Sequence, residues 1–352
     1  MFYIILYISL CLLISYLIYK KTSGLIENFI NYRIVLTNES LHPVQFILDT
    51  ETTFIDDNFA KCIRSFYPIR IKKAKNIIEY INSNNNTMGI CYKSQVNRLY
   101  MDDEINNVEL LHDIYYEYLC VIANKDFGIM KFSEIYNEKP IIYVINSQKN
   151  LLIPLIKILF PDFTIERIPS LIDLKVNNNK KYIIFFVCPE LSNILDEYSM
   201  KNKFMILDLP RENDAYKYIN FQYPDIKLDK MNISKIKTIN VNNVVNTFQL
   251  SKCIIINKNT NINNFVESIF ERFEYIRLFN SSNHYRIPMQ SFIPEMILKL
   301  NIIPLHNNLK NYFRELGIIT ENHNPICKNT IYTLKCDASK LEENSFRLLG
   351  FN

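Results

Sequence analysis

The chain has 352 residues, 48% of them hydrophobic, enough to bury one large or two medium cores and too apolar for a disordered chain. Its 40 Lys and Arg face 36 Asp and Glu, and the resulting +4 is spread without a basic block or an Arg-rich stripe, which argues against nucleic acid as a partner. Only 5 glycines leave few places for bare backbone to wrap a phosphate, and 8 cysteines without a Cys-x-x-Cys pair argue against structural zinc, so neither metal nor other cofactor is expected.

Residues 2–19, FYIILYISLCLLISYLIY, carry no charge and run directly into Lys20 and Lys21. At about 1.5 Å per residue the run spans roughly 27 Å, enough for a thin bilayer. A cleaved signal peptide would have a basic start and small residues at its end, whereas this segment starts Met1-Phe2 and exits bulky and basic. Residues 1–21 are therefore expected to form an uncleaved, single-pass transmembrane anchor. The side of the membrane stays open, because Lys20, Lys21 and Arg33 all follow the span.

Beyond a polar connector (22–32), short apolar runs at 33–36, 69–72, 88–92, 118–123, 141–145, 183–187 and 204–207 read as strands. Most are continuous Ile, Val and Phe, as in strands buried on both faces. Helical spacing separates them at 77–81, 151–159 and 191–198, and this alternation predicts an α/β fold. Strand-like runs at 238–248 and 253–257 follow, then an amphipathic helix over 261–279.

Several local patterns appear in an order that resembles one family. The segment MGICYKSQ (88–95) is similar to a strand ending in a polar turn; VELL (108–111) with IYYE (114–117) is similar to a "Leu-Tyr-x-Glu" crossing strand. Residues 127–129 with 132–135 are similar to the turn and helix that follow it, and 140–150 to a strand ending in a Gly-Ser-Gly-Thr loop. Residues 238–241 with 253–257 fit a return crossing. The most specific likeness is IPLH (303–306) continued by YFRELG (312–317), close to "Ile-Pro-Leu-His-Pro-Gly-Ala-x-x-Tyr-Tyr-x-x-x-Gly". Over roughly residues 33–320 the chain resembles the TAXI-type solute receptors of TRAP transporters, in the type II periplasmic-binding superfamily. That resemblance implies a two-lobed α/β fold with two crossover segments. Lobe one would combine 33–115 with 240–320, lobe two would be 120–230, and 321–352 would be a C-terminal extension. It also implies a membrane transporter as a possible partner. Three loops depart from the family by lacking its glycines: 37–43, 146–150 and 307–309.

In open α/β sheets, ligands bind beyond the carboxyl ends of strands, where helices begin with free N–H groups. Three turns fit that position: Thr37, Asn38 and Ser40; Lys93, Ser94 and Gln95; and Ser147, Gln148, Lys149 and Asn150. Their hydroxyls and amides can cap a helix or bond a ligand, and the lysines add positive charge. A small carboxylate or an amino acid in the interlobe cleft is the expected ligand. Each turn equally suits an ordinary N-cap, and Pro154 sits awkwardly inside a helix that starts at 147–150. By resemblance, Tyr115 and Glu117 lie at the hinge, with Tyr115 a ligand contact.

No enzyme is expected. Asp56-Asp57 reads as a polar turn, Asp102-Asp103 as a solvated helix end and His306 as a loop residue, and no Ser or Cys has a His in a nucleophile context. Two alternatives stand beside the receptor: a scaffold that has lost its ligand, and a membrane-anchored glycosyltransferase, for which no nucleotide-sugar site is apparent. Cys327 and Cys336 flank a short turn and could pair in an oxidising compartment.

Overall fold

The computed structural model describes residues 43–50, 54–64, 67–124, 128–171, 181–188, 204–234, 242–262 and 302–315, with 238, 240, 265 and 266. The fold is α/β, as the alternation of runs predicts. Strands β1 (Val44–Asp49), β2 (Ile69–Ala74) and β3 (Thr87–Tyr92) are joined by helices α1 (Phe54–Arg64) and α2 (Ile77–Ser83), and α3 (Lys93–Met101) follows β3. Next come β4 (Val108–Asn124), α4 (Glu134–Glu138), β5 (Ile141–Ile145), α5 (Lys149–Leu159), β6 (Ile165–Ile168), β7 (Tyr182–Cys188) and β8 (Phe204–Ile206). Helix α6 (Ala215–Gln222), β9 (Lys227–Asn232), β10 (Val244–Asn257) and α7 (Asn307–Glu315) complete the described strands and α-helices, and a 3-10 turn at Asn146–Gln148 joins β5 to α5.

All ten strands among the described residues share one sheet, in the order β2-β1-β3-β10-β4-β7-β5-β6, with β8 beside β4 and β9 beside β10. On one side β2, β1 and β3 are parallel; on the other β7, β5 and β6 are parallel. Between them run the long antiparallel pair β4, of 17 residues, and β10, of 14. Within the parallel groups β3, β5 and β7 are largely buried and read as apolar runs, whereas β2 and β6, at the two ends of the sheet order, bury one residue each. One core gathers Phe46, Ile47, Phe59, Ile90 and Ile254. Val144, Leu152, Phe185 and Phe248 form another. Residues 114–117, which the resemblance assigns to the first crossing, lie in β4, and residues 253–257 of the implied return crossing lie in β10.

Gly89 of β3 pairs with Ile47 of β1: a Cβ there would lie 2.5 Å from the Ile47 carbonyl oxygen, so this strand position admits no side chain without moving the backbone.

Some elements differ from the expectation. The strand expected at 33–36 and the helix at 191–198 lie outside the described residues, as does nearly all of that at 261–279. Strand β1, pairing with both β2 and β3, was not anticipated although VQFILD is apolar enough to be one. Strands β6 and β9 have one buried residue each, Ile168 and Met231, and so leave no apolar run to read. The runs 238–248 and 253–257 are not two strands: Ser251 and Lys252 interrupt the apolar pattern, but both are buried inside β10. Among the described residues no helix is long and apolar enough to cross a membrane. The expected anchor, residues 1–21, lies outside the described residues.

Candidate functional site

A cleft of about 460 Å³ opens where strands of both parallel groups end. One wall is Asp49 at the end of β1, Lys75 and Asn76 after β2, and Tyr92 at the end of β3; the other is Ser147, Gln148 and Asn150 after β5. Tyr92, the N-cap of α3, makes no side-chain capping bond and so does not close off the first N–H groups of that helix, whereas α5 is entered through a 3-10 turn at Asn146–Gln148 and its first N–H, that of Lys149, donates to the Asn146 carbonyl. Asn76 does cap α2, accepting from the Glu79 backbone N–H at 3.4 Å. Pro154 lies inside α5 after all, and because it has no N–H, the carbonyl of Asn150 at the cleft loses its helical partner. Arg98 spans the cleft: its Nη1 donates to the Tyr223 hydroxyl at 2.8 Å.

The floor is a buried charge network. Lys252 Nζ, on β10, lies 3.0 Å from Asp56 Oδ2 and 4.1 Å from the centre of the Tyr92 ring. The Tyr115 hydroxyl donates to Asp56 Oδ1 at 2.5 Å, and the Tyr92 hydroxyl to Glu117 Oε2 at 2.5 Å. Burial alone would lower the pKa of Lys252, but Asp56 and Glu117 outweigh it and hold the ammonium above its usual range. Burial raises the Glu117 pKa, Asp56 adds to it, and Lys252 and the Tyr92 hydroxyl work against it. One ammonium faces two carboxylates, and each carboxylate also accepts from one tyrosine hydroxyl.

Of the residues the sequence singled out, Gln95, Ser147, Gln148 and Asn150 line the cleft. Gln148 is held as a clamp, its amide bonded to both N–H and carbonyl of Val187 at 2.8 and 2.7 Å. Lys149 does not line it; its Nζ lies 3.4 Å from Asn146 Oδ1. Ser94 is fully buried in the first turn of α3 and is not the cap, a role that falls to Tyr92. Lys93 turns away from the cleft to pair with Asp113 at 2.9 Å, because successive positions at a helix start point in different directions. Tyr115 is wholly buried beneath the floor. Thr37, Asn38 and Ser40 lie outside the described residues; the strand end found on that wall is Asp49. Asp56 is not in a polar turn but buried in α1, and His306 is buried as well. The reading missed Asp49, Asp56, Arg98, Tyr223 and Lys252. A lysine in the middle of LSKCIII was the one available signal.

No family profile and no curated protein matches the sequence. Among solved structures, a protein described as a periplasmic transporter overlaps 86% of this chain and 97% of its own at 12% identity, with a TM-score of 0.43. The malate-bound MatC of Rhodopseudomonas palustris overlaps 67% and 84% at 10% identity, TM-score 0.41. The arginine-, lysine-, histidine-binding protein ArtJ of Geobacillus stearothermophilus overlaps 68% and 94% at 10% identity, TM-score 0.40.

Proposed function

We propose that the protein is a binding protein for a small carboxylate or amino acid, held in the cleft between two lobes. The cleft itself carries the reading: it lies at the carboxyl ends of β1, β3 and β5, and residues beyond both parallel groups line it. Lys75 and Arg98 offer positive charge to a carboxylate, and the start of α3 offers N–H groups. Asp49 and Glu104 offer the opposite charge, which suits the ammonium of an amino acid. Lobe one would be 33–115 with 240–320, lobe two 120–230, and β4 and β10 the hinge. The N-terminal run 2–19 would anchor the chain in a membrane, beside the transporter partner that the TAXI-type resemblance implies.

The test uses the full chain in detergent. Mass spectrometry of an extract identifies what co-purifies, and a panel of small carboxylates and amino acids is screened for a rise in melting temperature. A ligand at one hundred times its Kd stabilises the native state by about 2.7 kcal/mol. At least one member of the panel is expected to raise the melting temperature, less so in Ser147→Ala and Asn150→Ala, both exposed positions. If nothing co-purifies and no compound gives a shift at millimolar concentration, the scaffold reading replaces this one.

A further inference from the structure

Behind α3, away from the cleft, lies a second concavity of about 290 Å³. Lys93 and Asn97 of α3, Asp113 of β4, Ser251 of β10 and Asp225 before β9 line it. Strand alternation sends Ser251 and Lys252 to opposite faces, so β10 serves the cleft with one and this concavity with the other. Asp113 would share the face of Tyr115 and Glu117, but the register between β4 and β10 shifts between Lys252 and Cys253, whose partners are Tyr115 and Asp113, and this bulge turns Asp113 to the other side.

The groups here are acceptors in excess. The Lys93 ammonium is spent on Asp113 Oδ2 at 2.9 Å and the Asn97 amide on Asp225 Oδ1 at 3.0 Å. Four enclosed oxygens have no hydrogen-bond partner: Asn97 Oδ1, Asp113 Oδ1, Asp225 Oδ2 and Ser251 Oγ. Asn97, Asp113 and Ser251 are 2%, 8% and 5% exposed. Natural proteins seldom leave such groups unsatisfied. A carboxylate ligand would place acceptors against acceptors. What fits is a set of N–H donors with positive charge, since among the buried groups two carboxylates outnumber the one ammonium of Lys93, the other lining cation, Lys227, being exposed. Tyr116, Pro224 and Ile302 supply apolar wall for a short hydrocarbon portion. The volume, several times the roughly 30 Å³ share of a water molecule, suits an organic group rather than a bare ion.

We propose that this concavity is a second binding site, for a small organic cation carrying an ammonium or guanidinium group. The site is independent of the cleft. Isothermal titration of the full chain in detergent with butylammonium and with methylguanidinium is expected to give saturable one-to-one binding by at least one of them. Tetramethylammonium, equally charged but without N–H donors, is expected to give none. A charge-assisted hydrogen bond supports a loss of affinity of about tenfold or more in Asp225→Asn, and Ser251→Ala is expected to weaken binding less. Ser251→Ala keeps the question answerable if Asp225→Asn does not fold. Asn150→Ala, in the cleft, is expected to leave the affinity unchanged whatever becomes of the carboxylate reading. The proposal is overturned if neither probe binds, if tetramethylammonium binds equally well, if both Asp225→Asn and Ser251→Ala bind as the parent does, or if Asn150→Ala abolishes the heat.

Discussion

The two buried charge groups on either side of α3 have the same formal content and opposite completeness. Each sets one lysine against two acids: Lys252 with Asp56 and Glu117, Lys93 with Asp113 and Asp225. In the first, the hydroxyls of Tyr92 and Tyr115 donate to the two carboxylates, and none of its members is among the described residues with an unsatisfied buried atom. In the second, a single asparagine amide takes the place of both hydroxyls, and four oxygens go without. A completed polar network fixes a core, whereas a partly completed one is costly unless something else finishes it. The difference separates a strut from a site. The Lys252 group holds the floor of the cleft in place, and the Lys93 group has capacity left for a ligand.

That distinction is broken or sharpened first at the lysines. Lys252→Met leaves Asp56 and Glu117 buried beside one another without a cation, and removal of one member of a buried pair costs about 3–5 kcal/mol. Urea unfolding is expected to show a loss of that size. Lys93→Met is expected to lose less, because Asp113 and Asp225 border a concavity. Equal losses at the two lysines would remove the distinction. Next in size is Tyr115→Phe, which strips Asp56 Oδ1 of its donor at a fully buried position and is expected to cost about 1–3 kcal/mol. Its binding of cleft ligands is expected to match the parent's. A weakened ligand response with unaltered stability would make Tyr115 a contact instead of a strut.

How much of this was legible in the sequence follows from what each residue's neighbours could reveal. Continuous apolar runs such as 141–145 and 183–187 announced strands buried on both faces, and the Asn146–Asn150 segment was recognisable as a turn at a strand end. The charge networks were not recognisable. Asp56 and Lys252 are 196 residues apart, and nothing local marks them as partners. Strict alternation would have placed Asp113, Tyr115 and Glu117 on one face of β4; only the bulge in its pairing with β10 divides them between the two networks. Ser94 looked like a cap because serine before an apolar run usually is one, yet the helix begins at Lys93 and buries it.

The smallest expected effect gives the clearest signature, because it depends on pH in a definite direction. Burial raises the Asp225 carboxyl from its ordinary 3.8 to about 6, with Lys93 and the Asn97 amide working against the rise and Asp113 adding to it. A carboxyl whose folded pKa is raised binds its proton more tightly in the native state, so its contribution to stability falls as pH climbs from about 4 to about 6 and stays at its lowest above that. Asp225→Asn removes the titration while keeping the shape and an acceptor for Asn97. Each pKa unit corresponds to about 1.4 kcal/mol, and the partial exposure of Asp225 reduces the whole shift to an expected gain of about 1–2 kcal/mol at neutral pH. Below pH 4 both proteins carry a neutral group there, and their stabilities are expected to converge. Urea midpoints measured from pH 4 to pH 7 test this directly: curves that part as pH rises mark an ionised acid kept in the native state against its own stability, as a cation-binding site requires. Parallel curves would mean that Asp225 is solvated like any surface aspartate, and the contrast with the completed Lys252 network would lose its physical basis.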